Sequence, residues 1–300
     1  MTQQPFAGTY TALLTPFRDG ALDEVALRNL VEFQIRNGVA GLVPCGTTGE
    51  TPTLTAAEYD RAIRLVIEQT AGRVPVIAGT GGNDTRTTIE RTAAARAAGA
   101  DAALIVTPYY TKPTQEGLYQ HFAAVATAVP LPVVLYNVPG RTGVNLLPET
   151  VLRLAELASV VAVKEASGDL DQASAIIRAA TPHFAVLAGD DSLTLPIMSV
   201  GGRGIISVVA NIVPGAMSAL TTAALAGDFG AAQRIHLELF DLCRAMFVET
   251  NPVPVKTAAA SLGLCTAEVR LPLCPLAPAA QERLLQALRG CRFTRLVEAA

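Results

Sequence analysis

Short apolar runs alternate with longer amphipathic stretches over about the first 225 residues of the chain. Apolar runs between turn signals are typical of buried strands, and apolar residues at roughly every third or fourth position are typical of helices. The predicted strands occupy residues 10–14, 41–44, 74–78, 102–106, 133–136, 160–164, 184–187 and 204–207. Strands that alternate with helices in this way predict βαβ units and a parallel sheet.

Helix-start residues stand between these strands. Predicted helices cover residues 23–37, 55–69, 114–129 and 214–226. Thr55 opens the second of them and is followed three residues later by Glu58, a pair typical of a helix N-terminus. Eight strand–helix pairs within about 225 residues fit a TIM (β/α)8 barrel better than an open sheet, so an α/β fold of that class is predicted.

The pattern changes after residue 227. From there the spacing is helical and no convincing strand follows, with predicted helices at residues 231–249, 255–262 and 279–289. Prolines mark the connections between these helices. We therefore predict a catalytic barrel over residues 1–227 and a C-terminal helical appendage over residues 228–300.

Composition narrows the class of protein. Half of the 300 residues are apolar and 16% are charged, which excludes disorder and suits a sheet covered by helices. No segment approaches the ~18 consecutive apolar residues of a membrane-spanning helix, and the amino-terminus lacks the features of a signal peptide, so a cytoplasmic protein is expected. A net charge of −3 without a basic cluster argues against nucleic acid as a partner.

Motifs for metals and nucleotide cofactors are missing from the sequence. The three histidines have no HxxxH or HExxH spacing and are expected at the surface or at helix caps, and the five cysteines form no CxxC pair. The glycine-rich run at residues 79–84 fails the dinucleotide fingerprint at Asp84, and neither a Walker loop nor a GxSxG elbow is found. We expect neither a metal nor a cofactor.

Lys164 stands at the end of the apolar run VVAV. An ammonium in a buried strand is unfavourable unless it is paired, loses its proton or takes part in chemistry. A desolvated neutral lysine attacks carbonyls and forms a Schiff base. From the run alone two interpretations stay open: a structural ion pair with Glu165 or a distant carboxylate, and catalysis.

Polar or reactive groups follow most of the other predicted strands. In a TIM barrel the active site lies at the carboxyl ends of the strands. The groups found there are Thr47 and Thr48 in the motif GTTGE at residues 46–50, Tyr110, Tyr136, Arg141, Gly189 with Asp190 and Asp191, and Ile206. The opposite strand ends offer mostly turn residues, so we expect these groups to converge with Lys164 on one rim.

Each group also has an ordinary interpretation when it is taken alone. The GTTGE motif supplies hydroxyls and backbone N–H groups for a small carboxylate, but it also fits a turn and helix cap. Tyr136 is a candidate proton carrier that also fits core packing. Arg141 is available for a second carboxylate and also fits a solvated loop. Asp191 is best interpreted as the cap of the helix that follows it.

Taken together, these residues suit a 2-oxo acid substrate. A neutral lysine condenses with the ketone, and the resulting iminium accepts electrons when a methyl proton is lost. The enamine formed in this way attacks an aldehyde, while a tyrosine carries the protons. The sequence therefore predicts imine-dependent aldol chemistry that needs neither metal nor cofactor.

The motifs, taken in order, are also similar to those of a known family. They are GTTGE at residues 46–50, TPYY at 107–110, QEGLYQHF at 115–122, YNVPGRTG at 136–143, KEASGD at 164–169, residues 201–211, and NPVPVK at 251–256. Over essentially its whole length the chain resembles the dihydrodipicolinate synthase family of the N-acetylneuraminate lyase superfamily. The resemblance implies condensation of pyruvate with L-aspartate 4-semialdehyde in lysine and diaminopimelate biosynthesis.

The same resemblance implies roles for individual residues. Lys164 is the Schiff-base nucleophile, and Tyr136, Thr47 and Tyr110 form a proton relay, with Tyr110 reaching over from a neighbouring subunit. The substrate-binding residues are Thr48 for the pyruvate carboxylate, Arg141 for the semialdehyde carboxylate, Ile206 through its backbone carbonyl, and Gly189. A homotetramer built as a dimer of dimers is implied as well.

Two alternatives and one departure accompany the resemblance. Sugar-acid or sialic-acid aldolases and dehydratases of the superfamily share the lysine and tyrosine, although Thr47 and the GRT triplet at residues 140–142 match the synthase. The other alternative is a barrel without catalytic activity, kept for binding or assembly. Lysine-inhibited members carry histidines at the positions of Ala56 and Tyr59 and a glutamate at that of Thr87, so weak or absent inhibition by lysine is expected.

Overall fold

Eight parallel strands form a ring at the centre of the molecule, for which the computed structural model describes residues 6–294. The strands, numbered along the chain, are β1 (Gly8–Ala12), β2 (Phe17–Arg18), β3 (Ala21–Leu22), β4 (Gly41–Val43), β5 (Ile77–Gly79), β6 (Ala102–Val106), β7 (Val133–Asn137), β8 (Val160–Glu165), β9 (Ala185–Ala188) and β10 (Gly204–Ser207). Sheet neighbours follow the order β4-β1-β10-β9-β8-β7-β6-β5, and a parallel bridge between Leu42 and Val76 joins the two ends. β2 and β3 form a separate antiparallel hairpin. The predicted TIM barrel is confirmed.

Helices connect the strands and surround the ring. They are α1 (Glu24–Arg36), α2 (Ala56–Thr70), α3 (Thr85–Ala98), α4 (Gln115–Ala128), α5 (Pro139–Thr142), α6 (Pro148–Ala155), α7 (Leu170–Ala179), α8 (Thr194–Ser199), α9 (Pro214–Leu225), α10 (Phe229–Ala245), α11 (Val253–Ser261) and α12 (Pro278–Gly290). The predicted start of α2 is confirmed, because the Thr55 hydroxyl accepts the Glu58 N–H and the Glu58 carboxylate accepts the Thr55 N–H. This reciprocal pair satisfies two backbone donors that a helix start leaves free.

Six of the eight barrel strands differ from their predicted bounds by one to three residues, and two of these differences have a clear cause. β5 begins three residues later than the predicted start at residue 74, since Pro75 has no N–H to donate to a sheet ladder. β1 ends at Ala12 although the apolar run continues. The N–H of Leu14 donates to the Asn211 side chain at 3.1 Å and so leaves the ladder.

The C-terminal helices pack directly on the barrel. α10 lies against α9 and α8, and α12 contacts both α10 and α11. Leu239, Val255 and Leu284 from these three helices are buried in the same apolar core as the outer faces of the strands. The division at residue 227 stays a prediction. In residues 6–294 no helix is long and apolar enough to cross a membrane.

Strand side chains alternate between two layers of core. One layer fills the barrel interior and includes Val43, Leu104 and Leu187, while the other lies beneath the helices. Tyr136 and Ile206 belong to the interior layer. Because Tyr136 is the penultimate residue of β7, the strand places its phenol ring near the carboxyl end of the barrel.

Candidate active site

Lys164 is the penultimate residue of β8 and is only 5% exposed. Glu165 faces the opposite side of the sheet, since successive strand residues alternate. Its carboxylate accepts hydrogen bonds from Asn137, Gln172 and the N–H of Ser167. In the described part of the chain the Lys164 amine forms no salt bridge, so the pairing with Glu165 that the sequence left open is not formed.

Tyr136 lies beside Lys164, because the two residues are register partners on β7 and β8. The Lys164 Nζ is 4.3 Å from the centroid of the Tyr136 ring. Both residues line one narrow cavity at the carboxyl end of the barrel, and so do four other predicted site residues: Thr47, Thr48, Arg141 and Gly189. A neighbouring cavity of about 520 Å³ shares part of this wall and extends to Tyr109.

The GTTGE loop, residues 46–50, follows β4 and carries two hydroxyls to the cavity. Its turns are closed by the Glu50 N–H, which donates to the Thr47 carbonyl at 3.1 Å, and by the Thr51 hydroxyl, which donates to the Gly46 carbonyl at 3.0 Å. Thr48 is buried, and its Oγ1 accepts a hydrogen bond from Asn251 Nδ2 at 3.0 Å. Hydroxyls held in this way can bind a carboxylate.

Arg141 lies in α5, one short turn after β7, and lines the same cavity. Its Nη2 donates to the Asn251 carbonyl at 3.2 Å. Across residues 6–294 it makes no salt bridge. A guanidinium has several N–H donors in a planar fork, so donors remain for a carboxylate.

Two of the predicted residues are not brought to this cavity. Ile206 is fully buried in the barrel interior, and Val208, two residues later, lines the cavity wall instead. Tyr110 is 89% exposed, has a positive φ of 72°, and lines neither cavity. Within one chain, therefore, Tyr110 stands apart from Lys164.

Several residues of the cavity wall had no role predicted from the sequence, among them Val138, Phe247 and Asn251. The signal for Asn251 was present, since it opens the NPVPVK motif, which carries an amide and a lysine among prolines. Val138 and Phe247 are apolar residues without such a signal. The C-terminal region thus contributes directly to the cavity.

The two aspartates after β9 have different environments. Asp191 does not cap its own helix as predicted, because its carboxylate accepts from the Ser207 hydroxyl at 2.5 Å and from the Val208 N–H at 3.1 Å, at the end of β10. Burial raises the pKa of Asp191 to about 6. Asp190 lines the cavity, and burial raises its pKa while the positive charge of Lys164 opposes that rise.

His121 is buried, which corrects the expectation that every histidine lies at the surface or caps a helix. It belongs to α4, and its Nδ1 is 2.9 Å from the hydroxyl of Thr85 in α3. Burial lowers the pKa of His121 to about 4. In the described residues no group of three or more His, Cys, Asp or Glu side chains is placed to hold a metal ion.

A buried amine without an acidic partner, beside a phenol and two hydroxyls at the carboxyl end of a TIM barrel, defines a class: the Schiff-base-forming lyases. The profile of the dihydrodipicolinate synthetase family matches residues 5–290. The chain belongs to this family.

Relatives and solved structures agree with this membership. The 4-hydroxy-tetrahydrodipicolinate synthase of Thermomicrobium roseum is 60% identical over 287 residues, which are 96% of this chain and 95% of that protein. The structure of the synthase from Methylacidiphilum fumariolicum is 44% identical, with a TM-score of 0.95 over 98% of this chain and 99% of that one. The chloride-inhibited dihydrodipicolinate synthase of Acinetobacter baumannii, complexed with pyruvate, is 47% identical, with a TM-score of 0.93 over 95% of this chain and 98% of that one.

Proposed function

We propose that this enzyme condenses pyruvate with L-aspartate 4-semialdehyde to give 4-hydroxy-tetrahydrodipicolinate, a step of lysine and diaminopimelate biosynthesis. The relatives that this chain matches over nearly their whole length are named 4-hydroxy-tetrahydrodipicolinate synthase. The observation that supports the chemistry most directly is the Lys164 amine, which is buried, free of any salt bridge in the described part of the chain, and 4.3 Å from the Tyr136 ring centroid.

The first half of the reaction uses pyruvate alone. The Lys164 amine attacks the ketone carbon, and loss of water leaves an iminium. The Thr48 hydroxyl, buried in the GTTGE loop, binds the pyruvate carboxylate. The iminium then draws electrons from the methyl group, which loses a proton and becomes the nucleophilic carbon of an enamine. Because the lysine supplies the electron sink, this chemistry needs no metal or cofactor.

Proton transfer is assigned to Tyr136, Thr47 and Tyr110. Tyr136 and Thr47 line the same cavity as Lys164, and hydroxyl groups can carry protons to and from a reacting amine. We assign Tyr110 to the site of a neighbouring subunit. Support comes from its 89% exposure in a single chain, since large apolar rings at the surface are typical of interfaces. A homotetramer built as a dimer of dimers is part of this proposal.

The second half of the reaction joins the enamine to the aldehyde. Arg141 binds the carboxylate of the semialdehyde, and Gly189 lines the same cavity. The backbone carbonyl of Ile206 is assigned to substrate binding as well. After the carbon–carbon bond forms, the amino group of the semialdehyde attacks the imine carbon. Ring closure expels the Lys164 amine and regenerates the enzyme. Both substrates are small water-soluble metabolites, which supports a cytoplasmic location.

Trapping the imine tests the proposal. Borohydride added with pyruvate should increase the mass of the wild-type protein by one reduced adduct, and Lys164→Arg should lose that increase. Arg141→Ala should still form the adduct but lose turnover with the semialdehyde, because its role begins after the imine. An adduct that persists in Lys164→Arg would contradict the assignment. Turnover of a sugar-derived aldehyde in preference to the semialdehyde would favour the sugar-acid aldolases instead.

A further inference from the structure

The C-terminal region touches the GTTGE loop at two separate points. Residues 251–256, here called the NPVPVK segment, connect α10 to α11 and form the start of α11. At one end of the segment Lys256 is paired with Glu50, and at the other end Asn251 is bonded to Thr48. The last and the third residue of the loop are thus both held by a part of the chain about 200 positions away.

The ion pair between Lys256 and Glu50 is completely buried. Lys256 Nζ is 2.5 Å from Glu50 Oε1, and neither side chain has any exposed surface. The Lys256 Nζ also lies 4.0 Å from the centroid of the Phe17 ring. The second carboxylate oxygen of Glu50 accepts a hydrogen bond from the backbone N–H of Arg270 at 3.2 Å. A buried ion pair contributes little net stability, because desolvation of two charges offsets their attraction. Stability alone therefore gives no reason for this pair.

The loop has a backbone that needs such support. Cys45 directly precedes the loop, and Glu50 is its last residue. Their φ angles of 55° and 54° lie in the left-handed region that residues with a Cβ avoid. Such a backbone conformation is unfavourable for a residue with a Cβ and persists only where its surroundings fix it. The carboxylate of Glu50, held on both oxygens, fixes the residue at which the strained backbone leaves the loop.

Asn251 acts on the two groups assigned to the substrate carboxylates. Its Nδ2 donates to Thr48 Oγ1 at 3.0 Å, while its backbone carbonyl accepts from Arg141 Nη2 at 3.2 Å. A hydroxyl has a single proton, so Thr48, by accepting from Asn251, keeps its O–H free to donate to a carboxylate. Asn251 is itself 5% exposed and lines the cavity.

We propose that the NPVPVK segment positions the GTTGE loop for carboxylate binding, Lys256 through Glu50 and Asn251 through Thr48. Lys256 and Glu50 are positioning residues that touch no substrate. This inference rests on the proposed function, in which Thr48 binds pyruvate. It makes the C-terminal region a component of the pyruvate site, although no residue of that region reacts.

The double variant Glu50→Gln with Lys256→Met tests the ion pair. It removes both buried charges together and keeps similar volumes, an exchange that proteins often tolerate. We expect a thermal unfolding midpoint close to that of wild type, a roughly tenfold rise in the pyruvate concentration that half-saturates adduct formation, and a much smaller change in kcat. Glu282→Gln is the control, because it weakens the Arg289–Glu282 pair, which lies within α12 of the C-terminal region and involves no residue of the loop.

Asn251→Ala tests the second contact, between Asn251 and Thr48. If the double variant does not fold, this variant tests whether the NPVPVK segment positions the loop. Asn251→Ala and Thr48→Val should each raise the half-saturating concentration of pyruvate. Combined, they should raise it no further than Thr48→Val alone, because the asparagine acts through that hydroxyl. Additive effects would overturn the role of Asn251, and unchanged half-saturation in the folded double variant would overturn that of the ion pair. A wild-type protein that forms no adduct would instead contradict the proposed function itself.

Discussion

Lys164 and Glu165 are adjacent in sequence but occupy different environments. The strand turns Lys164 towards the cavity with Tyr136, and it turns Glu165 into a network of amide donors from Asn137 and Gln172. The amine is therefore near a carboxylate in sequence and has no acidic partner among the described residues in space. This separation is the feature of single residues on which the proposed chemistry depends.

His121 gives a prediction for the pH dependence of stability. In the folded protein burial lowers its pKa from 6.5 to about 4, so between those values the unfolded chain binds the extra proton and folding is disfavoured. The free energy of unfolding should fall as the pH drops from 6.5 towards 4, by at most about 3 kcal/mol from this residue. His121→Leu should flatten the curve over that interval, as measured by urea unfolding at a series of pH values.

Comparing the pH dependence of stability in wild type and His121→Leu separates the contribution of His121 from those of other buried titratable groups. Asp191, whose pKa burial raises to about 6, makes folding less favourable as the pH rises between 3.8 and 6 and so acts in the other direction. The half-buried His236 also has a lowered pKa and acts in the same direction as His121. Parallel curves for wild type and His121→Leu would contradict the assignment.

At the scale of elements, the GTTGE loop depends on the strand beside it. Gly79 ends β5 directly against the start of the loop. A Cβ at this position would overlap the carbonyl group of Cys45 and lie 2.9 Å from the Gly46 nitrogen. Both obstacles are backbone atoms, which cannot rotate away as a flexible side chain does.

Gly79→Ala should therefore displace the loop and destabilise the protein. We expect a loss of about 1–3 kcal/mol in the free energy of unfolding and weaker formation of the pyruvate adduct. Gly82→Ala is the control three residues on, since its Cβ would meet nothing closer than the Thr88 hydroxyl at 3.6 Å. Thermal unfolding and borohydride trapping of both variants provide the measurement. Equal behaviour of the two would mean that the loop tolerates movement of β5.

At the scale of the whole molecule, one chain does not contain the complete proposed relay. Tyr110 projects from the rim after β6 and lines neither cavity of its own subunit. In the proposed relay a second copy of the chain supplies this phenol. Weak or absent inhibition by lysine also stays a prediction. Tyr59 occupies one of the two positions at which lysine-inhibited members carry a histidine, and its hydroxyl donates to the Gly79 carbonyl at 2.8 Å.

Subunit mixing tests whether Tyr110 acts across the interface. Tyr110→Phe and Lys164→Arg should each have little activity as separate oligomers. After dissociation and reassembly together they should regain activity above either alone, because a subunit that keeps Lys164 then receives Tyr110 from its partner. The semialdehyde-dependent rate before and after mixing is the measurement. A mixture as inactive as its components would mean that Tyr110 serves its own subunit.

Much of the architecture followed from the sequence because local patterns carry it. Apolar runs, helix caps and turn residues are set by neighbours along the chain, and they predicted the eight barrel strands and the capping box of Thr55. The same order of strands placed Lys164 and Tyr136 at one rim. One error fell where a distant residue intervened: the Asn211 side chain takes the N–H of Leu14, and β1 ends before the predicted bound.

Tertiary structure alone decided the partners of the polar groups around the cavity. The sequence offered Glu165 to Lys164 and a helix start to Asp191, but folding gave Glu165 to amide donors and Asp191 to the end of β10. It also brought Asn251 to Thr48 across 203 positions. The physical reason is that strand alternation and helix caps act over a few residues, whereas hydrogen bonds and ion pairs join whatever the packed core brings within about 3 Å.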